Sequence, residues 1–238
     1  MPIVTSSCDA CSLLPQIMAD LRALRGAGLP KLRSLRREYS RRLQDADSRS
    51  VLRLAQELQK SRIVHRFFSD ELIANHKAAM ACLTRRDLNR FGAGMNSWDQ
   101  VDCFATIVAG PAWSAGRIGD ADIAEWGRSD DRWWRRAALV STTRLNLPGT
   151  KGDARRTLSV CKMLPDDHDD TIVKGMSWAL RALSKRNPEQ TRAFIEQYRD
   201  RLHSRVIREV RNKLQTGLKN PRPKQNSAKA QTQRSPIR

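Results

Sequence analysis

Apolar residues recur along most of the chain at intervals of three and four positions, which is the spacing of an amphipathic α-helix. The first series covers residues 13–24 and ends near Gly26, and Pro30 then begins a second helix. The same spacing predicts further helices over residues 51–58 and 64–73. Few runs alternate apolar and polar residues as a half-buried strand does, so the pattern predicts an all-α fold.

The second half of the chain has clearer signals for helix ends. Ser97 and Gln100 have the spacing of a capping box, which predicts a helix that begins at Trp98. Asn187 precedes Pro188, a pair typical of an N-cap and a first helical position. The other predicted helices cover residues 80–88, 120–126, 132–143, 170–185 and 204–217, and the candidate caps of the helix at 132 are Ser129, Asp130 and Asp131.

A succession of about ten amphipathic helices fits either a compact bundle or a stacked solenoid. Three tryptophans near helix starts or centres bear on this choice, since Trp98 and Trp133 are 35 residues apart and Trp133 and Trp178 are 45 apart. Both intervals are near the period of about 40 residues found in HEAT-type helix pairs. We therefore expect an all-α, HEAT-like helical repeat solenoid of antiparallel helix pairs with a concave basic face.

The charge of the chain bears on its partners and on its ends. Lysine and arginine number 44 against 25 aspartates and glutamates, a net charge of +19, which favours a polyanionic partner. We expect the solenoid to cover residues 13–217, between a flexible arm at 1–12 and a disordered basic tail at 218–238. The sequence has neither a run of about 20 apolar residues nor a signal peptide pattern, so we expect a soluble, cytoplasmic protein. We also expect it to be a monomer.

Metal and cofactor sites are not indicated. Five scattered cysteines favour free thiols in a reducing compartment. Cys8 and Cys11 form one C-x-x-C without a second ligand pair at a matching spacing, so we expect no metal there. The acidic run from Asp166 to Asp170 is interpreted as loop and N-cap carboxylates. Without a glycine-rich phosphate loop or a Ser/His/Asp set, no cofactor is expected either.

Three segments hold the residues best suited to chemistry on a polyanion. Trp98 and Asp102 are four residues apart, so on a helix they are rotated by only about 40° and share one face. In the segment from Trp133 to Arg136 one indole is expected in the core, and the Arg136 guanidinium is suited to bind a phosphate. Trp178 has small neighbours on both sides, which would admit another backbone or a ligand.

Each of these residues also has an ordinary structural interpretation. Asp102 is compatible with a solvated carboxylate near a positive helix end. Trp98 and Trp178 are compatible with core packing, and the arginines with solvated surface charges. Residue types and spacing alone leave both interpretations open.

The order and spacing of these segments resemble the AlkD-type DNA alkylation repair family of HEAT-like DNA glycosylases. The resemblance is carried by WDQVD at residues 98–102, WWRRAA at 133–138 and KGMSWALR at 174–181, followed by KRNP at 185–188. It extends over residues 60–200, is fainter over 13–43 and is absent from the tail.

The resemblance implies an active cleft made by a Trp, an Asp, an Arg and a second Trp. By motif these are Trp98, Asp102, Arg136 and Trp178. We also expect nucleic-acid contacts from Arg135, Lys174 and Arg181. The family further has a Tyr on its N-terminal helix that touches the lesion, whereas residues 13–24 hold no aromatic residue at all, a departure that bears on substrate range.

The implied reaction suits so small a set of residues. A purine alkylated at N3 or N7 is cationic and leaves without a general acid, so the protein has to stabilise an oxocarbenium-like sugar and position water, which Asp102 can do. The indoles of Trp98 and Trp178 favour a cationic nucleotide, and Arg136 would hold the neighbouring phosphate. The resemblance implies that the base need not enter a pocket. The expected partner is double-stranded DNA with alkylated bases.

Two other functions remain at this stage. The missing N-terminal Tyr is compatible with a non-catalytic relative that recognises bent or branched DNA, although Asp102 is retained. A helical scaffold for another protein is the second alternative, and the charge of +19 fits it poorly.

Overall fold

The structure is a computed structural model, and it describes residues 9–61 and 66–221. Within these ranges the chain is helical and holds no β-strand, which confirms the predicted all-α helical repeat fold. None of the helices there combines the length and the apolar composition needed to cross a bilayer. Cys8, most of the predicted arm, and the predicted tail after residue 221 lie outside the described residues.

Six helices form the N-terminal part: α1 Leu14–Ala23, α2 Leu29–Arg42, α3 Ser48–Lys60, α4 Arg66–Ala74, α5 Lys77–Ala81 and α6 Arg85–Gly92. A 3-10 turn, Ala10–Leu13, precedes α1, and Ala10 is buried, so packed structure begins within the predicted arm. The single helix predicted over residues 80–88 is wrong. A capping box formed by Thr84 and Asp87 begins a new helix there and separates α5 from α6.

The central part is one long helical rod with an irregular middle. Its pieces are α7 Trp98–Cys103, a π-helical segment Phe104–Ala109, and α8 Gly110–Ser114. A helix does begin at Trp98 as predicted, but the capping box is wrong. The Ser97 side chain makes no capping hydrogen bond, and Gln100 instead accepts one from the Asn96 backbone N–H at 3.2 Å.

The C-terminal part holds α9 Asp120–Gly127, α10 Arg132–Ser141, α11 Ala154–Cys161, α12 Asp170–Leu183, α13 Pro188–Gln197 and α14 Ser204–Thr216. Of the three candidate caps of α10, Asp131 is the N-cap, and its side chain accepts a hydrogen bond from the Trp133 backbone N–H at 2.8 Å. Helix α11 was not predicted. Lys219 follows α14 and reaches back to Glu209 at 3.4 Å, so ordered contacts extend into the first residues of the predicted tail.

The helices pack in two rows. Helices α2, α4, α7, α10, α12 and α14 contact one another in that order and form a first row, while α9, α11 and α13 form part of a second row behind it. Arginine–carboxylate pairs link successive repeats, and among the described residues ten of them join positions that are 32 to 38 apart. This recurrent separation matches the 35 residues between Trp98 and Trp133, whereas the 45 residues between Trp133 and Trp178 exceed it.

Candidate active site

An ion pair between Asp102 and Arg136 joins two neighbouring helices of the first row, α7 and α10. Arg136 Nε donates to Asp102 Oδ1 at 2.9 Å, and Arg136 Nη2 donates to Oδ2 at 2.8 Å. Two parallel hydrogen bonds of this kind fix the plane of the carboxylate as well as its position. The sequence placed both residues in a cleft but gave no indication that they bind each other.

Helix α12 supplies the third side of this arrangement. Arg136 Nη1 donates to the backbone carbonyl of Thr171 at 2.7 Å, so one guanidinium ties three helices together. The Arg136 side chain is only 6% exposed, whereas that of Asp102 is 17% exposed. The carboxylate is therefore the part of the pair that remains open to solvent.

Burial and the guanidinium act in opposite directions on the charge of Asp102. Burial raises the pKa of Asp102 above its ordinary value, and the hydrogen bonds and positive charge of Arg136 lower that pKa. The effect of burial is the larger, so the pKa of Asp102 is raised overall. The negative charge of this carboxylate is stabilised mainly by one fixed guanidinium in place of a full shell of water, which makes its field stronger toward any cation that approaches the open side.

Of the two predicted indoles, Trp98 lies on α7 together with Asp102, and Trp178 lies on α12, whose Thr171 carbonyl accepts from Arg136. Trp98 is one turn before Asp102 on α7 and is 64% exposed, an unusual state for so large an apolar side chain. Trp178 is half-buried and follows Thr171 by seven residues on α12, which returns it to within about 20° of the same face. We call the surface that carries Trp98, Asp102 and Arg136 the site face.

The small residues around Trp178 serve helix packing. Gly175 lies against Leu139 of α10, where an added Cβ would meet the leucine side chain at 3.5 Å. Ser177 donates from its hydroxyl to buried Glu209 of α14 at 2.5 Å. Of the two possibilities that the sequence left open at these positions, close approach of a neighbouring helix is the one observed.

The adjacent indoles of α10 have different surroundings. Trp134 packs on the ring of Trp126 at 5.0 Å and edge-on against Phe104 at 5.9 Å, so it is the expected core anchor. Trp133 points elsewhere and lies beneath the guanidinium of Arg132, whose Cζ is 4.9 Å from the ring centroid. Sequence analysis did not single out Arg132, although it precedes Arg136 by one helical turn.

The three cations predicted to contact nucleic acid already have partners within the protein. Arg135 donates to Asp167 at 2.7 Å and to two backbone carbonyls, and it is mostly buried. Arg181 donates to Ser177 Oγ at 3.1 Å, and burial lowers the pKa of its guanidinium. Lys174 is half exposed and pairs with Asp170 at 2.6 Å. Lys174 therefore has the most accessible charge of the three.

The acidic run before α12 has the role predicted for it. Asp169 is the N-cap of α12 and accepts from the Thr171 backbone N–H at 2.8 Å. Asp166 and Asp167 bind arginines of neighbouring repeats. Within residues 9–61 and 66–221, no group of three metal-ligating side chains is found.

A second aspartate–arginine pair, which sequence analysis missed, lies near the π-helical segment. Asp70 is fully buried on α4, and its Oδ2 is 3.6 Å from Arg66 Nε. Burial raises the pKa of Asp70 to about 7. The guanidinium of Arg66 stands over the ring of Phe104 at 5.6 Å. The only sequence signal for this pair is the separation of four residues on one helix.

Comparison with known proteins bears on identity. The model of the family described as DNA alkylation repair enzyme matches residues 13–214, a span that includes Trp98, Asp102, Arg136 and Trp178. Neither a curated protein nor a solved structure matches the chain. The family match covers most of the sequence and confirms the resemblance drawn from its three segments. The chain belongs to the DNA alkylation repair enzyme family, and its role is in DNA repair.

Proposed function

We propose that the protein is a monofunctional DNA glycosylase that hydrolyses the N-glycosidic bond of cationic N3- or N7-alkylated purines in double-stranded DNA. The observation that carries the proposal is the partly open carboxylate of Asp102, fixed by Arg136 one turn from an exposed indole. Membership in a family described as DNA alkylation repair enzyme supports the proposed class of substrate. We propose in addition that it acts as a monomer in the cytoplasm.

The reaction needs little beyond these side chains. When the N-glycosidic bond breaks, its electron pair neutralises the alkylated base, which therefore leaves as a neutral molecule without protonation. The deoxyribose is left as an oxocarbenium-like cation. Asp102 stabilises that charge and orients a water molecule, whose oxygen forms the new bond to the anomeric carbon while Asp102 accepts its proton.

Arg136 and the two indoles are proposed to orient the carboxylate and to bind the nucleotide. In the free protein, Arg136 donates three N–H groups to Asp102 and Thr171. This arrangement favours a role in fixing the position and orientation of the Asp102 carboxylate. The predicted contact of Arg136 to phosphate remains part of the proposal and would use the two remaining N–H groups. Trp98 and Trp178 offer indole faces to a cationic nucleotide, each stabilising it by about 0.5 to 2 kcal/mol.

The decisive experiment is base release by the Asp102→Asn variant. Wild-type protein in excess over duplex DNA that contains 7-methylguanine is expected to release the free base, and Asp102→Asn is expected to abolish release with little change in DNA affinity. Asp99→Asn is the matched control, since it removes an equal charge on the same helix about 60° away. Absence of base release from wild type on long incubation contradicts the proposal, and so does equal loss in both variants.

A non-catalytic protein that binds bent or branched DNA is the second candidate. Helix α1 has no aromatic residue to face a lesion, and the nearest tyrosine does not replace it. Tyr39 of α2 is buried and donates its hydroxyl to Asp20 at 2.5 Å. Tight binding of undamaged junctions together with no release of any alkylated base would favour this candidate.

A further inference from the structure

We propose that Arg132 binds a phosphate of the DNA backbone beside the target nucleotide. The inference rests on the proposed function for the position of the DNA, but the contact itself is a binding property and does not depend on base release. It assigns a direct phosphate contact to a residue that lies next to the catalytic pair and was not expected to take part.

Arg132 occupies the right place on the site face. It is the first residue of α10, one turn before Arg136 and rotated from it by about 40°. Its side chain is 53% exposed, in contrast to the buried guanidinium of Arg136. A ligand held at Asp102 therefore meets Arg132 as the next exposed cation along α10.

The guanidinium of Arg132 is also free to change partners. Its ion pair is a single contact, from Nη1 to Asp169 Oδ2 at 3.3 Å at the solvent-exposed rim, and exposed pairs of this kind contribute little to stability. Asp169 uses its other oxygen to cap α12 through the Thr171 N–H. When Arg132 moves to a phosphate, Asp169 keeps its capping role and returns its other oxygen to water.

Trp133 positions the Arg132 guanidinium for a phosphate. The Arg132 Cζ stands 4.9 Å from the Trp133 ring centroid, so the indole supports the guanidinium while its N–H edges remain available. Four of its five N–H groups have no partner among the described residues, which leaves a fork that matches two phosphate oxygens. Lys174 of α12 is also exposed, but as a point charge it lacks that fork.

The first test is the salt dependence of binding to undamaged duplex DNA. Arg132→Ala is expected to weaken binding and to reduce the slope of log affinity against log salt by about one between roughly 50 and 200 mM. Arg155→Ala is the matched control because Arg155 is 77% exposed and forms one comparable pair, with Asp120 at 3.0 Å, in the second row. A slope equal to that of wild type in Arg132→Ala overturns the proposal.

The second test locates the phosphate. Duplexes that carry a tetrahydrofuran abasic-site analogue receive one neutral methylphosphonate at each flanking phosphate in turn. At one position the losses caused by the methylphosphonate and by Arg132→Ala are expected to be non-additive, and Arg132→Lys is expected to restore part of the affinity. Additive losses at every position overturn the proposal. If wild type releases no base but this coupling is found, the proposed function fails and the phosphate contact stands.

Discussion

Two aspartate–arginine pairs lie near the π-helical segment, and they differ in almost every respect except composition. Asp102 and Arg136 meet through two hydrogen bonds of 2.8 and 2.9 Å at the edge of the site face. Asp70 and Arg66 approach only to 3.6 Å inside the molecule. Among the described residues, Asp70 Oδ2 and Arg66 Nε and Nη2 have no hydrogen-bond partner. The first pair is well bonded and partly open, whereas the second is buried and loosely bonded.

The difference shows that geometry, more than the presence of opposite charges, decides what such a pair does. A bidentate bond offsets much of the desolvation of Asp102 and presents an oriented carboxylate to solvent. At 3.6 Å, Arg66 does little to offset the burial of Asp70, and the pKa of Asp70 rises to about 7. Protonation of Asp70 therefore stabilises the folded protein. Only the first pair is suited to stabilise a cation that arrives from outside.

The largest expected effect comes from breaking the well-bonded pair. Arg136→Ala leaves the Asp102 carboxylate and the Thr171 carbonyl without their donor, and we expect a loss of about 3 kcal/mol, the low end for buried pairs because Asp102 retains some access to water. Urea unfolding measures it as a shift in midpoint at constant m-value. The control is Arg155→Ala, an exposed pair expected to lose less than about 1 kcal/mol. Equal losses in the two variants contradict the comparison.

A smaller effect, on the pH dependence of the free energy of unfolding, is expected at Asp70. Its pKa of about 7, against an ordinary 3.8, means that the folded protein binds the extra proton between these values. The contribution of protonated Asp70 to the free energy of unfolding is therefore fully present below pH 3.8 and is lost as the pH rises through about 7. Asp70→Asn is expected to remove most of the decline in the free energy of unfolding across that window. Unfolding curves at a series of pH values check it, and identical pH slopes in wild type and variant would exclude this role.

The smallest expected effect concerns a hydrogen bond that the Asp70 side chain accepts from a described neighbour. Gln59 Nε2 donates to Asp70 Oδ1 at 3.0 Å, and Gln59→Met is expected to lower the free energy of unfolding by about 1 kcal/mol. The loss is expected to grow above the pKa of Asp70, since a hydrogen bond to an ionised acceptor is stronger. Thermal unfolding at two pH values measures both. The control is Gln56→Met on the same helix, expected to change stability by less than about 0.5 kcal/mol.

Much of the fold and the choice of helix faces could be predicted from local patterns. The spacing of Trp98 and Asp102 predicted that they share a face, and both lie on α7 as expected. One indole of the 133–134 pair was predicted to anchor the core, and Trp134 does so. Such predictions succeed because they depend on helical periodicity, which neighbouring residues set by themselves.

The errors arose where contacts distant in sequence or a short signal decide the structure. Arg136 and Asp102 are 34 residues apart, and no local pattern relates them. Helix α11 is short and begins with two arginines after Ala154, so its apolar stripe is weak. The break between α5 and α6 did have a signal, the capping spacing of Thr84 and Asp87, which the apolar periodicity across residues 80–88 obscured.

The π-helical segment Phe104–Ala109 has a consequence for how this protein tolerates deletions. A π-turn contains one residue more than a regular helical turn, so deleting a single residue from the segment would let the rod relax into continuous α-helix. The wider turn completes about the same rotation with its extra residue, so the parts before and after the deletion would keep nearly the same relative orientation. Asp102 would keep its helix and would still face Arg136. The segment is therefore a place where the rod can lose one residue without redirecting the carboxylate.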